Sequence, residues 1–83
     1  VVRVRLFAAL REFADASEVE VVGRSVGEVV DALSERFGER FAAVAAVSSF
    51  VVNGERAGRG TVIADGDEVA LLPPVSGGSG RSR

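Results

Sequence analysis

Hydrophobic and polar positions alternate at the start of the chain. Val2, Val4 and Leu6 fall on one side, and Arg3, Arg5 and Phe7 on the other. A period of two predicts a strand with one buried face. Residues 8–16 read as a connection with some helical character. Glu18-Val19-Glu20-Val21 alternates again and predicts a second strand, able to pair with the first as a hairpin. After Ser25 the period changes to that of a helix. Val26, Val29, Val30, Leu33 and Phe37 share one face, and Asp31, Ser34 and Glu35 the other. Ser25 and Glu28 have capping-box spacing, with Ser25 accepting from the Glu28 amide while Glu28 reaches back. Gly38 is expected to stop this helix in a left-handed conformation.

The second half is less periodic. Residues 41–47, rich in Ala and Val, predict a short turn of helix, and Phe50-Val51-Val52 a short strand. Asn53-Gly54 signals a type I′ turn, in which both central residues take positive φ. Gly58 and Gly60 mark an irregular crossing, and Thr61-Val62-Ile63 has the β-branched composition of a short edge strand. Asp65-Gly66-Asp67 is a second turn, followed by a last strand over residues 68–72. Pro73-Pro74 ends it, because neither residue can donate to a sheet ladder. The first two strands lie too close together for a parallel crossover, which argues against a doubly wound sheet. The pattern predicts an α+β fold, a mixed sheet packed on one main helix with the first and last strands central. It also predicts one domain over residues 1–74 and a flexible C-terminal tail over 75–83.

Composition narrows the chemistry. The 83 residues suffice for one domain, and 47% are hydrophobic and 27% charged, as in globular chains. The net charge of −2 argues against a general nucleic-acid binder. There is no Cys, His, Lys, Trp, Tyr or Met. The usual zinc and transition-metal ligands are therefore missing, and no metal site is expected. The thiol nucleophile, the commonest general base and the Schiff-base amine are missing too. A binding or carrier role is expected rather than an autonomous enzyme. No run of about 18 apolar residues predicts a membrane span, and the start lacks a signal peptide's apolar stretch. A cytoplasmic location is the expectation.

The C-terminal run carries a resemblance. Asp65-Gly66-Asp67, the apolar strand, Pro73-Pro74 and Gly77-Gly78, in this order and spacing, resemble the MoaD/ThiS family of ubiquitin-like sulfur carriers, above all the small subunit of molybdopterin synthase. Val4-Arg5-Leu6-Phe7-Ala8, Leu10-Arg11-Glu12 and Val51-Val52-Asn53-Gly54 resemble the same family, so the likeness spans residues 2–78. It implies a β-grasp fold. It also implies that the carboxylate of Gly78 is the working group. An adenylating activating enzyme of the MoeB/ThiF kind would use ATP to form an acyl-adenylate there, and sulfur would replace AMP to leave a thiocarboxylate. The carrier itself would bind no cofactor. It would deliver sulfur to the synthase large subunit or to another acceptor enzyme. Related carriers serve thiamine or cysteine biosynthesis, and a ubiquitin-like modifier or an interaction module are the readings from other classes.

The tail suits such chemistry on physical grounds. Residues 73–78 extend about 20 Å, enough to enter a deep pocket. Pro73 and Pro74 stiffen its base, Val75 and Ser76 carry it outward, and Gly77 and Gly78 let the backbone pass a narrow channel. Five residues, Ser79-Gly80-Arg81-Ser82-Arg83, follow Gly78 where the family's active form ends. A processing peptidase would have to remove them if they belong to a proform; an expression remnant and a chain that has lost the carrier role are the other readings. Phe7 and Leu72 are expected on the open face of the sheet near the tail's root, as a partner-binding patch. Asp65 and Asp67 read as turn residues rather than a cation site, because the other calcium-loop ligands are missing. Ser25 reads as a cap rather than a nucleophile. Glu12 and Glu28 lack an acid/base partner.

Overall fold

The structure, a computed structural model, describes residues 1–74. The elements in chain order are β1 (Val2–Leu6), α1 (Ala8–Ala14), β2 (Glu18–Val21), α2 (Val26–Phe37), α3 (Glu39–Ala46), β3 (Ser49–Val52), β4 (Glu55–Ala57) and β5 (Glu68–Leu72). The strands form one sheet in the order β2-β1-β5-β3-β4. β1 runs parallel to β5, and β1–β2, β3–β5 and β3–β4 are antiparallel. This is the mixed β-grasp sheet that the resemblance implies, with β1 and β5 inside it.

The register explains the alternation. Val19, Val4, Val69 and Val52 lie in one row across four strands, and Leu6, Leu71, Phe50 and Ala57 in the next. These rows face the helices. Val4, Val69 and Leu71 are fully buried, as are Val26, Val29 and Leu33 of α2. The opposite rows hold Glu20, Arg3 and Glu68, then Glu18, Arg5, Ala70, Val51 and Arg56. On that open face Arg3 pairs with Glu18 at 3.5 Å and Arg5 with Glu68 at 3.9 Å. Both pairs are about half exposed, so each contributes less than about 1 kcal/mol.

Helix α2 begins as its cap predicts, with the Glu28 amide donating to Ser25 Oγ at 3.2 Å. Glu28 reaches back one residue farther than the standard box, accepting from the Arg24 amide at 3.0 Å. Two further amides are held by an incoming loop, Val26 N donating to Thr61 O (3.0 Å) and Gly27 N to Arg59 O (2.8 Å), and Val29 N makes the first bond within the helix, to Ser25 O (3.1 Å). Arg59 also bonds Asp31 at 2.9 Å, which ties the same loop to the second turn of the helix.

Four expectations change. Residues 61–63 are not the edge strand. They make one isolated bridge, between Ser25 and Val62, and the edge strands are β2 and β4. The chain after Asn53 (φ 50°) and Gly54 (φ 85°) folds straight back on β3, so the turn rather than side-chain pattern makes β4. Residues 39–46 form a helix of eight residues rather than a single turn, with Phe41 and Ala45 buried. Phe37 is only half-buried at the end of the apolar stripe, tilted against Phe41 with ring centroids 5.3 Å apart. Gly38 has positive φ as expected but not left-handed helical geometry. At φ 99° and ψ −175° it occupies a region that glycine alone enters readily, and it closes α2 through its amide to Ser34 O (2.8 Å) while opening α3 through its carbonyl to Ala42 N (3.1 Å).

The two sequence turns near β5 are joined. Asn53 Nδ2 donates to Asp67 Oδ1 at 3.1 Å, and Asn53 Oδ1 accepts from the Glu68 amide at 3.0 Å. Asp67 also folds back on its own turn, accepting from the Ala64 amide at 2.8 Å.

Candidate functional site

Parallel pairing fixes the site. Leu6 lies opposite Leu71, so Phe7, the first residue after β1, and Leu72, the last residue of β5, come to the same end of the sheet. Phe7 is extended (φ −129°, ψ 153°) and serves as the N-cap residue of α1 without a side-chain cap bond. Phe7 and Leu72 are each 37% exposed, a large apolar area for side chains beside a core.

Both residues line a groove of about 880 Å³ together with Ala8, Ala9, Val44, Pro73 and Pro74. Val47, 65% exposed at the end of α3, and Glu12 complete its rim. Ser48 Oγ donates to Val44 O at 2.7 Å and fixes this last turn of α3. The walls are therefore the start of α1, the end of α3 and the exit of β5. The chain leaves the described region from the groove itself, at Pro74. Among the described residues Glu12 is the one ionisable group in the lining. The surface suits an apolar partner surface better than a polar small molecule.

Sequence reading expected Phe7 and Leu72 on the open face of the sheet at the root of Pro73 and Pro74; the structure brings these four residues together at the end of the sheet, in a groove walled by α1 and α3 because Phe7 leaves β1 directly into α1. Val75, Ser76, Gly77 and Gly78 lie outside the described residues. Sequence reading missed the α3 wall. The signal for it was that residues 41–47 are apolar on every side, more than one buried face can use. Glu12 stands at the groove edge, with no acid/base partner in the lining. Ser25 is occupied as a cap. Asp65 and Asp67 bound their turn, and among the described residues no group of three His, Cys, Asp or Glu side chains is arranged to hold a metal ion. The pKa of Asp67 is held below its ordinary value by the Ala64 amide and then by Asn53, against a small opposing effect of burial. Among the described residues no helix is long and apolar enough to cross a membrane.

Comparison with known proteins agrees with this architecture. The chain is 41% identical over 81 residues to the molybdopterin synthase sulfur carrier subunit of Mycobacterium tuberculosis, covering 93% of this chain and 96% of that protein. It is similar to the crystal structure of SAMP1 from Haloferax volcanii, at 36% identity and TM-score 0.71, over 92% of this chain and 97% of that one. It is also similar to the Amycolatopsis orientalis BexX/CysO complex, at 26% identity and TM-score 0.79, over 93% and 99% of the two chains. Residues 4–78, from β1 through Gly78, match the ThiS family. A match over nearly the whole chain, reaching to the second glycine of the tail, establishes that this protein belongs to the ThiS family.

Proposed function

We propose that this protein is a sulfur carrier rather than an enzyme, and that its working group is the carboxylate of Gly78. The carrying observation is the placement of Gly77-Gly78. The pair lies three and four residues beyond Pro74, within the matched span and shortly after the last residue lining the apolar groove. Four residues reach about 14 Å. A partner seated on the groove can thus receive the glycine in its own reaction centre.

The chemistry needs little from the carrier. An activating partner transfers AMP from ATP to the Gly78 carboxylate, releasing pyrophosphate. A sulfur nucleophile then attacks the acyl carbon, and AMP leaves. The thiocarboxylate that results is carried to an acceptor enzyme. Likeness to the mycobacterial sulfur carrier subunit supports molybdopterin synthesis as the destination and a synthase large subunit as the acceptor. Likeness to CysO, seen in complex with BexX, supports a protein partner in general. Phe7 and Leu72 supply the apolar contact, and Pro73 and Pro74 hold the start of the tail at the groove wall. Val75, Ser76 and Gly77 serve as the inserted segment. These steps belong in the cytoplasm, where ATP and the activating partner are available.

On this reading the peptide bond from Gly78 to Ser79 is cut first, because Gly78 has a free carboxylate only when nothing follows it. A peptidase acting on the Gly78–Ser79 bond supplies the active form. The test combines ATP–pyrophosphate exchange with intact mass, using the activating enzyme of the same genome. Protein ending at Gly78 is expected to react and gain the oxygen-to-sulfur mass change, and the full chain to be inert until cleaved. Failure of both forms to react would remove the carrier assignment.

Likeness to SAMP1, a small archaeal modifier protein, favours one second reading, attachment of Gly78 to other proteins. The chain contains no Lys, so chains could not be built on its own lysine side chains. Conjugates in cell extracts, rather than a free thiocarboxylate, would select this reading.

A further inference from the structure

Asn53 is the single carboxamide side chain of the protein, since the sequence has no other Asn and no Gln. It precedes Gly54, in an exposed two-residue hairpin turn. A following glycine is the neighbour that least hinders attack of the backbone nitrogen on the Asn side chain, because it has no Cβ. The surroundings are open as well. A Cβ built on Gly54 would meet nothing within 4 Å. Among the hydrogen bonds of the described residues, none uses the Gly54 amide. Nucleophile and water access are both in place.

What opposes the reaction is the grip on the carboxamide. Nδ2 is held by Asp67 Oδ1 and Oδ1 by the Glu68 amide, while the Asn53 backbone N donates to Glu68 O at 2.9 Å. These partners sit on the last turn and β5, away from the hairpin. They fix the side chain to the neighbouring strand instead of leaving it free to swing over Gly54 N. We infer that Asn53 is a site of intramolecular deamidation whose rate is set by the clamp from Asp67 and Glu68.

In the reaction the Gly54 nitrogen loses its proton and attacks Asn53 Cγ. The Cγ–Nδ2 bond breaks, and the nitrogen leaves as ammonia with that proton. Water then opens the cyclic imide at either carbonyl, leaving aspartate or isoaspartate at position 53. Aspartate would face Asp67 with a second carboxylate and no donor between them. Isoaspartate would add a methylene to the backbone of a turn that has two residues. Either product opens the link between the two turns beside β5, independently of what the tail carries.

The full chain, its D67A variant and its L33A variant are incubated at one neutral pH, below their melting transitions. Deamidation is followed by intact mass and by separation of the isoaspartyl peptide. A synthetic peptide of residues 50–57 gives the unclamped rate. Loss of one hydrogen bond to a charged group corresponds to about tenfold. D67A is expected to deamidate about tenfold faster than the parent and to approach the peptide. L33A, destabilised in the core with its clamp intact, is expected to stay near the parent. Equal rates for parent and D67A would overturn the inference. So would a parent as fast as the peptide, or acceleration in L33A that matches D67A and so reports global unfolding.

Discussion

The carboxylate of Asp67 accepts the amide proton of Ala64, three residues back in the same turn, at 2.8 Å. Together with the bond from Asn53 this favours the ionised form and lowers the pKa. A carboxyl whose folded pKa lies below its unfolded value stabilises the fold above the unfolded value. That contribution is lost as pH falls through the folded value. Melting temperature is therefore expected to decline on acidification below about pH 4. The D67N variant should show a flatter profile in that window, since it has no proton to take up there. Parallel profiles for the two proteins would remove Asp67 as a source of the acid sensitivity.

Gly38 joins α2 to α3 in a backbone region that only glycine enters without strain. A Cβ there would touch nothing within 4 Å, so the cost of a side chain is purely conformational. Gly38→Ala is expected to lower stability by about 1–3 kcal/mol in urea unfolding. A chemically synthesised chain with D-alanine at this position should keep the parental stability, because its favoured φ is positive.

Leu33 is fully buried where α2 meets the sheet. Leu33→Ala should cost about 2–5 kcal/mol, read as a lower urea midpoint with an unchanged slope. A cost under about 1 kcal/mol would mean that the core has collapsed into the space.

Phe7→Asp separates docking from folding. Position 7 is the N-cap of α1, and Phe makes no cap bond there. Aspartate is a good cap, so stability should hold or rise by up to about 1 kcal/mol. Affinity for an activating or acceptor enzyme should fall by at least about tenfold, because a charge enters an apolar contact. Unchanged affinity in a titration would take Phe7 out of the docking surface.

Gly78→Ala, in protein ending at that residue, tests the tail apart from the groove. Binding to the partner should change little, while adenylation slows by about a hundredfold, because a small displacement of the attacking carboxylate is costly. Normal turnover would show that the partner's channel tolerates a methyl group.

Most of the fold could be read where one local rule acted alone. Val2, Val4 and Leu6 announced β1, Ser25 and Glu28 the start of α2, and Asn53-Gly54 the hairpin. Glu55-Arg56-Ala57 gave no such signal, because β4 has no alternation and owes its conformation to the turn before it. Thr61-Val62-Ile63 carried the composition of a strand but serves to hold the start of α2, with its Thr61 carbonyl on Val26 N. The groove was half legible. Phe7 and Leu72 follow from strand parity. Val44 and Val47 reach the same place only through the packing of α3 beside α1, which sequence spacing does not encode.

The start of α2 has a consequence for how the protein handles nucleotides. A helix beginning commonly offers free amides to a phosphate. Here the amides of Val26, Gly27 and Glu28 are already held by Thr61 O, Arg59 O and Ser25 Oγ. These three amides are not free to grip a triphosphate. If Gly78 is activated at the expense of ATP, these amides take no part in holding the nucleotide, and the donors that bind its phosphates lie elsewhere.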